Sequence, residues 1–367
     1  MKIAHVLNMA NDGYSTVKAL RKEGFDCDLI IDADDFGMGL PMWEDLEIEM
    51  DPYQFNFKEV LKHYDLPDWI KIWEAKYKFT LLKISNLFRV SRGYDLLHCH
   101  VTSSVCLQFS GQPFMVYDAG WVRNLVNDIR SVGIELGRRS YREALGVTWT
   151  NPDTHDMVKS LNPKRMDYIP FVIDPEQYKP VKTEKSDNLL FFHPARQVWD
   201  VKGNDKLFCA FGTFVKNGFD ARLRCIDWGY AEDVEAAKKL VNELGISDRV
   251  EWVKPMSKPR LIRAYSEADA VFDQFTIGGS GTGGLEAMSC GTPLCIYMTH
   301  WTADAFGEEP PVVNACSISD IHDAMILLTD KNYRQKMGKL GREYVSRHCN
   351  PSTVAKKLIK VYEEVLN

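Results

Sequence analysis

A two-domain α/β fold, with a Rossmann-like parallel sheet in each half, is predicted from three observations. Short apolar runs alternate with longer amphipathic ones along the chain. Many of the apolar runs end in polar residues. The rhythm occurs in two series, separated by a proline-punctuated segment. Alternating β and α patterns imply parallel sheets with ligands at the C-terminal ends of the strands. At 367 residues the chain is too long for one ordinary domain and comfortable for two.

The first series opens with an apolar run over 3–7, a polar turn Asn11-Asp12-Gly13-Tyr14 and a helical pattern over 15–23. A second strand is expected over 27–31, with further short apolar runs at 95–98 and 114–117. The second series places strands at 188–192, 222–227, 250–253, 270–275 and 293–297, with helices over 231–244 and 258–266. Gly245 and Asp248 supply a stop and turn before the strand at 250. Between the series, Tyr168-Ile169-Pro170 through Pro175 and Pro180 marks the boundary. The expected domains are 1–173, 174–350 and a terminal helix within 351–367 with apolar residues at helical spacing.

One region breaks the rhythm. Residues 57–92 are rich in aromatics and lysines, including Trp69, Lys71, Trp73, Lys76, Tyr77, Lys78 and Lys83. As one amphipathic helix the stretch would lie on an anionic membrane surface, cap an acceptor groove, or pack its aromatic face on the first sheet. Composition adds exclusions. A net charge of −6 argues against holding nucleic acid by phosphate neutralisation. Nine cysteines stand singly, without close CxxC spacing, and read as thiols of a reducing compartment. The opening apolar run is too short for a signal peptide, and no run is long enough to span a bilayer. The expected location is cytoplasmic, with membrane contact through the basic helix as a peripheral option.

The chemistry concentrates in Asp273-Gln274-Phe275-Thr276-Ile277-Gly278-Gly279-Ser280-Gly281-Thr282-Gly283-Gly284-Leu285-Glu286, which reads as strand, glycine-rich loop and helix. Gly281, Thr282 and Gly283 let the backbone approach a ligand, and the helix start offers free N–H groups to a phosphate. Glu286 falls in the first turns of that helix, where a carboxylate can accept hydroxyl hydrogen bonds, as from a ribose. The loop formally matches GxGxxG, but the next strand ends in Met298-Thr299-His300 without the acid a dinucleotide site wants. A Walker loop is excluded, since no Gly-Lys-Ser/Thr follows. Arg196 and Lys202, on the loop after the strand at 188–192, can clamp a diphosphate, the one as a fork and the other as a point charge.

These residues resemble the retaining GT-B glycosyltransferases, the family 4 group, over nearly the whole chain. The resemblance is carried by the opening strand and loop, Tyr94 to His100, Tyr168-Ile169-Pro170 with Asp174, and Arg196 with Lys202-Gly203. It continues through Leu244 to Val250 and, most specifically, Leu285-Glu286-Ala287-Met288-Ser289-Cys290-Gly291-Thr292-Pro293. It implies two Rossmann-like domains facing across a cleft, with the C-terminal helix crossing back to the N-terminal domain. The N-terminal domain would bind the acceptor and the C-terminal one a UDP- or GDP-type nucleotide-sugar. It implies transfer to a glycan, lipid-linked or other acceptor with retention of configuration, no metal, and no cofactor beyond the nucleotide-sugar co-substrate. Arg196 and Lys202 would hold the diphosphate and stabilise the charge that builds as it leaves. Glu286 would bind the ribose, and the loop around Lys254 and Met256 would meet the base. Gly13, Asp273, Gly281, Thr282 and Gly283 complete the donor candidates.

Two departures stand out. Gly278 occupies the place of the family's first glutamate, so Asp273 is the candidate to face the donor sugar in its stead. In place of a His-Gly pair stands Asp118-Ala119-Gly120, which makes Asp118 a catalytic candidate. His98, His100 and Trp121 are acceptor-side candidates. His98 and His100 point to the same strand face but lack a third metal ligand in sequence. Asp32-Ala33-Asp34-Asp35 offers a DxD, common by chance. An NAD-dependent oxidoreductase or epimerase, and an inactive nucleotide-sugar-binding protein, are the competing classes.

Overall fold

The computed structural model describes residues 1–33, 37–48, 56–62, 64–73, 81–100, 102–127, 131–183 and 188–367. It divides into two compact units. The first comprises Met1–Leu46, Pro52–Val172 and Cys349–Asn367, and the second Ile173–His348, which Glu47 and Ile48 join. The division falls one residue before the expected 173/174, and Cys349 already goes with the terminal helix.

The first unit contains a seven-stranded parallel sheet. Its strands are β1 (Ile3–Val6), β2 (Cys27–Asp32), β3 (Ile70–Trp73), β4 (Leu96–His100), β5 (Phe114–Asp118), β6 (Val147–Trp149) and β7 (Met166–Tyr168). They lie in the order β3-β2-β1-β4-β5-β6-β7. β1 is central, with Ile3 in register with Cys27 on one side and Leu96 on the other. Every residue of β1, β4 and β5 is buried, as expected for strands covered by helices on both faces.

The second unit repeats the plan with six parallel strands. They are β8 (Leu189–His193), β9 (Ala221–Ile226), β10 (Val250–Val253), β11 (Ala270–Phe272), β12 (Leu294–Ile296) and β13 (Val313–Asn314), in the order β10-β9-β8-β11-β12-β13. A phenylalanine-rich core of Phe191, Phe208, Phe211, Phe214, Phe272 and Phe275 fills one face of the sheet. These likenesses to the sequence reading hold for most strands, but three short ones (β6, β7 and β13) carry too few residues to show a period.

The stretch 57–92 is corrected outright: it is not one helix. It forms a short helix Phe57–Val60, the edge strand β3 and a helix Leu81–Val90. Lys76, Tyr77 and Lys78 lie outside the described residues. The alternation Ile70-Lys71-Ile72-Trp73 finds a partner in β2, with Asp32 in register with Trp73, and pairing overrides the helical spacing. Trp69 stacks on Tyr14 at 5.6 Å between ring centroids, and Trp73 is buried. The single amphipathic helix on which a membrane contact was read therefore does not form. Among the described residues no helix is long and apolar enough to cross a membrane.

The terminal helix Pro351–Leu366 completes the first unit. Asn350 caps it by accepting from the Thr353 amide at 3.0 Å, and Pro351 follows as its first residue. Val354, Ala355, Leu358, Val361 and Tyr362 form its buried stripe against the helix Asp12–Lys22. Each of the larger aliphatic side chains contributes about 1.5–3 kcal/mol by leaving water.

Candidate functional site

In the second sheet the chain reverses its direction of travel between β8 and β11. At such a switch point the loops leaving two adjacent strands diverge and open a crevice for a ligand. Here the two loops are 194–203 after β8 and 273–281 after β11. They carry Arg196, Lys202, Asp273 and Gly281, with Thr282 and Gly283 opening the helix Thr282–Ser289.

The first loop is held by a buried imidazole. His193, the last residue of β8, places Nδ1 at 2.6 Å from the Phe272 carbonyl at the end of β11. Its Nε2 lies 2.7 Å from the side-chain amide nitrogen of Asn204, whose Oδ1 accepts from the Val198 amide at 3.0 Å. Burial holds the His193 pKa down at about 4, so the ring is neutral near pH 7. Lys202 ends the short helix Trp199–Lys202, and its carbonyl accepts from the Phe275 amide at 2.8 Å. Gly203 then adopts φ +65°, and a Cβ there would stand 2.9 Å from Thr276 Oγ1. Only glycine combines that left-handed turn with so close an approach. The lysine Nζ thereby reaches 4.0 Å from Asp273 Oδ1. Arg196 is exposed, with its guanidinium 5.9 Å from the centre of the Tyr230 ring.

The second loop is tied down by Gln274. Its side-chain amide donates to the carbonyls of Gly279 (2.8 Å) and Tyr297 (2.9 Å), and its Oε1 accepts from the Thr276 amide. The glycines divide into two kinds. A Cβ on Gly278 would meet Thr299 Cγ2 at 2.2 Å, and one on Gly284 would meet Ser280 Oγ at 2.5 Å, so both are required by packing. A Cβ on Gly281 would meet open space. Gly281 is the N-cap of the helix Thr282–Ser289, and no side chain caps the amides that follow. Those donors and the positive end of the helix dipole face the Gly281 space, an arrangement that suits an anion.

Glu286 and Asp273 flank the start of this helix. Asp273 is buried, with Oδ2 3.3 Å from where a Gly284 Cβ would stand. Glu286 is buried on the second turn and pairs with the also buried Lys258, Nζ to Oε1 at 2.5 Å. Lys254 is exposed and Met256 half-buried after β10, at the same strand-end edge of the sheet. The structure thus brings Lys202 together with Asp273 and Glu286 with the first turn of one helix. Sequence reasoning missed His193, Asn204, Gln274 and Lys258. Only His193, at a strand end facing the second series' loop, carried any signal.

The first unit corrects several expectations. Asp118 is fully buried and engaged: its carboxylate accepts from Tyr141 Oη at 2.6 Å, the Val122 amide at 2.9 Å and the Gly120 amide at 3.2 Å. It holds the turn after β5 rather than facing a sugar. His98 and His100 are interior as well, in a chain running from Thr148 Oγ1 through His98, Tyr362 and His5 to His100, with contacts of 2.7–2.9 Å. They anchor the terminal helix and line no acceptor surface. Trp121 packs over Gly137, where a Cβ would stand 2.7 Å from its ring. Gly13 is buried, with room for no side chain against the Leu7 carbonyl and Asn8. Its turn is strained: Leu7, Ala10 and Asn11 all take positive φ, at 73°, 49° and 64°. Such residues cost about 1–3 kcal/mol each and are kept where surrounding bonds enforce them, here by Asn8 to Asn11, Gly39 and Tyr14. Asp34 and Asp35 of the DxD lie outside the described residues. Among the described residues, no three His, Cys, Asp or Glu side chains are grouped to hold a metal ion.

Comparison with known proteins agrees with the second unit. Residues 174–344 match the family described as Glycosyl transferases group 1. Curated relatives are named D-inositol 3-phosphate glycosyltransferase. That of Kribbella flavida is 33% identical over 116 residues, 31% of this chain and 27% of the relative. That of Mycolicibacterium smegmatis is 41% identical over 95 residues, 25% and 22% of the two chains. The matches thus span about a quarter of each relative's length. Among solved structures, a sucrose-phosphate synthase from Thermosynechococcus elongatus superposes with TM-score 0.72 at 16% identity, covering 100% of this chain and 99% of that one. The Anabaena protein HepE, in complex with UDP and glucose, gives 0.72 at 11% identity, covering 99% and 100%. At such identities the likeness is one of fold, the two-sheet GT-B architecture.

Proposed function

We propose that this protein is a glycosyltransferase that takes a sugar from a UDP- or GDP-type nucleotide-sugar and passes it to a glycan or lipid-linked acceptor. The observation that carries the reading is the uncapped start of the helix Thr282–Ser289, with Lys202 held beside it, at the switch point of the sheet that matches group 1 glycosyl transferases. The donor diphosphate would sit on the amides of Thr282 and Gly283, in the space beside Gly281. Arg196 would grip it as a fork and Lys202 as a point charge. Glu286 would accept from ribose hydroxyls, and the segment with Lys254 and Met256 would meet the base.

As the glycosidic bond to the diphosphate breaks, negative charge builds on the leaving oxygens. The helix amides, Arg196 and Lys202 would stabilise that charge and lower the barrier to its departure. Retention is taken from the resemblance to the retaining family alone; given it, and with no evident covalent nucleophile among the described residues, we take the transfer to be front-face. The leaving phosphate would help to remove the acceptor's proton. Metal-independence belongs to the same reading, because the two side-chain cations and the helix end supply the counter-charge. Asp273, buried against Lys202, would face the donor sugar across from Gly278. The first unit would hold the acceptor.

The test is binding of a nucleotide-sugar panel by thermal shift and calorimetry, with NAD as control, followed by product analysis. UDP- or GDP-sugars should bind with Arg196→Ala and Lys202→Ala each weakening them about tenfold or more. Tight NAD binding with no response to nucleotide-sugars would replace the reading with a dinucleotide one. An inverted product anomer would remove the retaining part alone.

A further inference from the structure

Two carboxylates, Asp273 and Glu286, are buried around the first turns of the helix whose start suits an anion. Left uncompensated, they would cancel the field of the helix end and repel a diphosphate. Each has an ammonium partner. Lys202 answers Asp273 from the clamp loop, at 4.0 Å. Lys258 answers Glu286, and nothing in the donor reading so far employs it.

The placement of Lys258 is costly on its own terms. It is the first residue of the helix Lys258–Glu267, where the dipole disfavours a cation, and its side chain is only 10% exposed. Its helix start is pinned, since the Ser257 amide donates to the Ile48 carbonyl at 2.8 Å and Ser257 Oγ accepts from the Ile48 amide at 2.6 Å. The ammonium meets Glu286 Oε1 at 2.5 Å, while Oε2 faces the buried Tyr265 hydroxyl at 3.5 Å. That hydroxyl also lies 3.4 Å from where a Gly283 Cβ would stand, directly under the anion-binding turn. The carboxylate is therefore held on one oxygen by a short charge-assisted bond, while the other keeps capacity for further donors.

We propose that Lys258 is a positioning residue for donor recognition. Its ammonium pairs the Glu286 charge and orients the carboxylate with Oε2 turned to the ribose hydroxyls, so that the same pocket can take both a sugar hydroxyl donor and a diphosphate anion. The inference rests on the donor reading above. In its absence the Glu286 carboxylate would lose its orientation and turn its charge on the phosphates, and recognition of the ribose hydroxyls fails.

The experiment measures dissociation constants by calorimetry for UDP and GDP, and for the 2′-deoxy and 3′-deoxy forms of whichever binds. The wild-type protein should prefer the ribonucleotide over at least one deoxy form by about tenfold, the size of one hydrogen bond to a charged group. Lys258→Met should collapse that ratio to near unity, as should Glu286→Gln. Lys258→Arg should restore most of it. The double variant K258M/E286Q should bind no worse than E286Q, because Lys258 acts through Glu286. General destabilisation would weaken both nucleotides alike and leave the ratio intact, so a folded K258M that keeps the wild-type ratio overturns the assignment. Should K258M not fold, loss of the ratio in K258R, or a double variant far weaker than E286Q, overturns it equally. Failure of the wild-type protein to bind either nucleotide would instead remove the donor reading itself.

Discussion

Asn204 places its side-chain amide 2.7 Å from Nε2 of His193, and this contact decides where the imidazole proton sits. The Val198 amide donates to Asn204 Oδ1, which turns the Nδ2 donors towards the ring. Nε2 is then the acceptor, and Nδ1 carries the hydrogen that it donates to the Phe272 carbonyl. One neutral ring thereby joins the end of β8, the end of β11 and the loop bearing Arg196 and Lys202.

Asn204→Ala should consequently act on stability and on binding together. It strands the Val198 amide and leaves His193 Nε2 without its donor, at about 1–3 kcal/mol for each buried group. Urea unfolding should show a loss of about 2–4 kcal/mol, and calorimetry a weaker affinity for the nucleotide diphosphate that binds wild type. A variant that lost stability yet kept full affinity would mean that the clamp loop is positioned without His193.

How much of this was legible in the sequence differs between the two sheets. The glycine-rich loop, Arg196, Lys202 and Glu286 could be read because each lies next to the strand or helix end that presents it. Lys258 could not, because its bond to Glu286 joins residues 28 apart through packing that no local spacing reports. In the first unit, Asp118 and His100 end their strands and His98 shares a face with His100, the pattern of a site, yet all three lie inside. What separates an interior polar network from an open one is the covering element. For the histidines that element is a helix whose Tyr362 lies 357 residues from His5, and for Asp118 it is the helix Val132–Glu143, which brings Tyr141. The strand β3 was misread for a related reason: its helix-like composition is overruled by the edge of β2.

Tyr362→Phe should show how firmly that helix is docked. The hydroxyl stands 2.8 Å from His5 Nε2 and 2.7 Å from His98 Nδ1, and it can donate to only one of them. The other ring must donate to it. Removing the oxygen orphans one buried donor and one buried acceptor, so the cost should be about 2–4 kcal/mol in urea unfolding. A cost below about 0.5 kcal/mol would mean that the rings find other partners.

The same network sets a pH dependence. Burial pushes the pKa of His5 and His100 well below the usual value and that of His98 to about 3, so all three are neutral in the fold. In the unfolded chain they take up protons below about pH 6.5. The unfolded state then binds more protons, and stability is lost as pH falls from about 6.5 towards 3. Asp12 opposes this. Burial raises its pKa to about 7, so the fold keeps a proton that the unfolded chain has released above about pH 4. Near pH 5 to 6 this network alone sets three histidines against one carboxyl, a fall on the order of 2 kcal/mol per pH unit, and the buried His193, with its pKa at about 4, adds to the fall. Asp12→Asn removes the opposing group, and urea unfolding at several pH values should find its stability falling more steeply with acid than that of wild type. Equal slopes would show that Asp12 does not hold a proton in the fold.

Thr299 is what makes position 278 a glycine. A Cβ there would stand 2.2 Å from Thr299 Cγ2, but 3.2 Å from both Thr299 Cβ and Oγ1. The severe conflict is therefore with a single methyl group, and the two 3.2 Å approaches ask for shifts of only a few tenths of an ångström. Thr299 also fastens the loop, since its amide and its hydroxyl both donate to the Gly278 carbonyl, at 2.9 and 3.0 Å. Gly278→Ala should overpack this contact and destabilise by about 1–3 kcal/mol, with weakened donor binding as the loop shifts. Thr299→Ser deletes the methyl and keeps the hydroxyl. The double variant G278A/T299S should then recover most of the stability lost by G278A, a coupling of about 1 kcal/mol or more in a double-mutant cycle. Simple additivity of the two changes would place the constraint on glycine elsewhere, in the backbone rather than at Thr299. If the coupling is found, a larger side chain at 278 becomes compatible with this loop once the threonine methyl is gone. The glutamate expected there from the resemblance could then be installed as G278E/T299S, and its effect on donor-sugar preference measured directly.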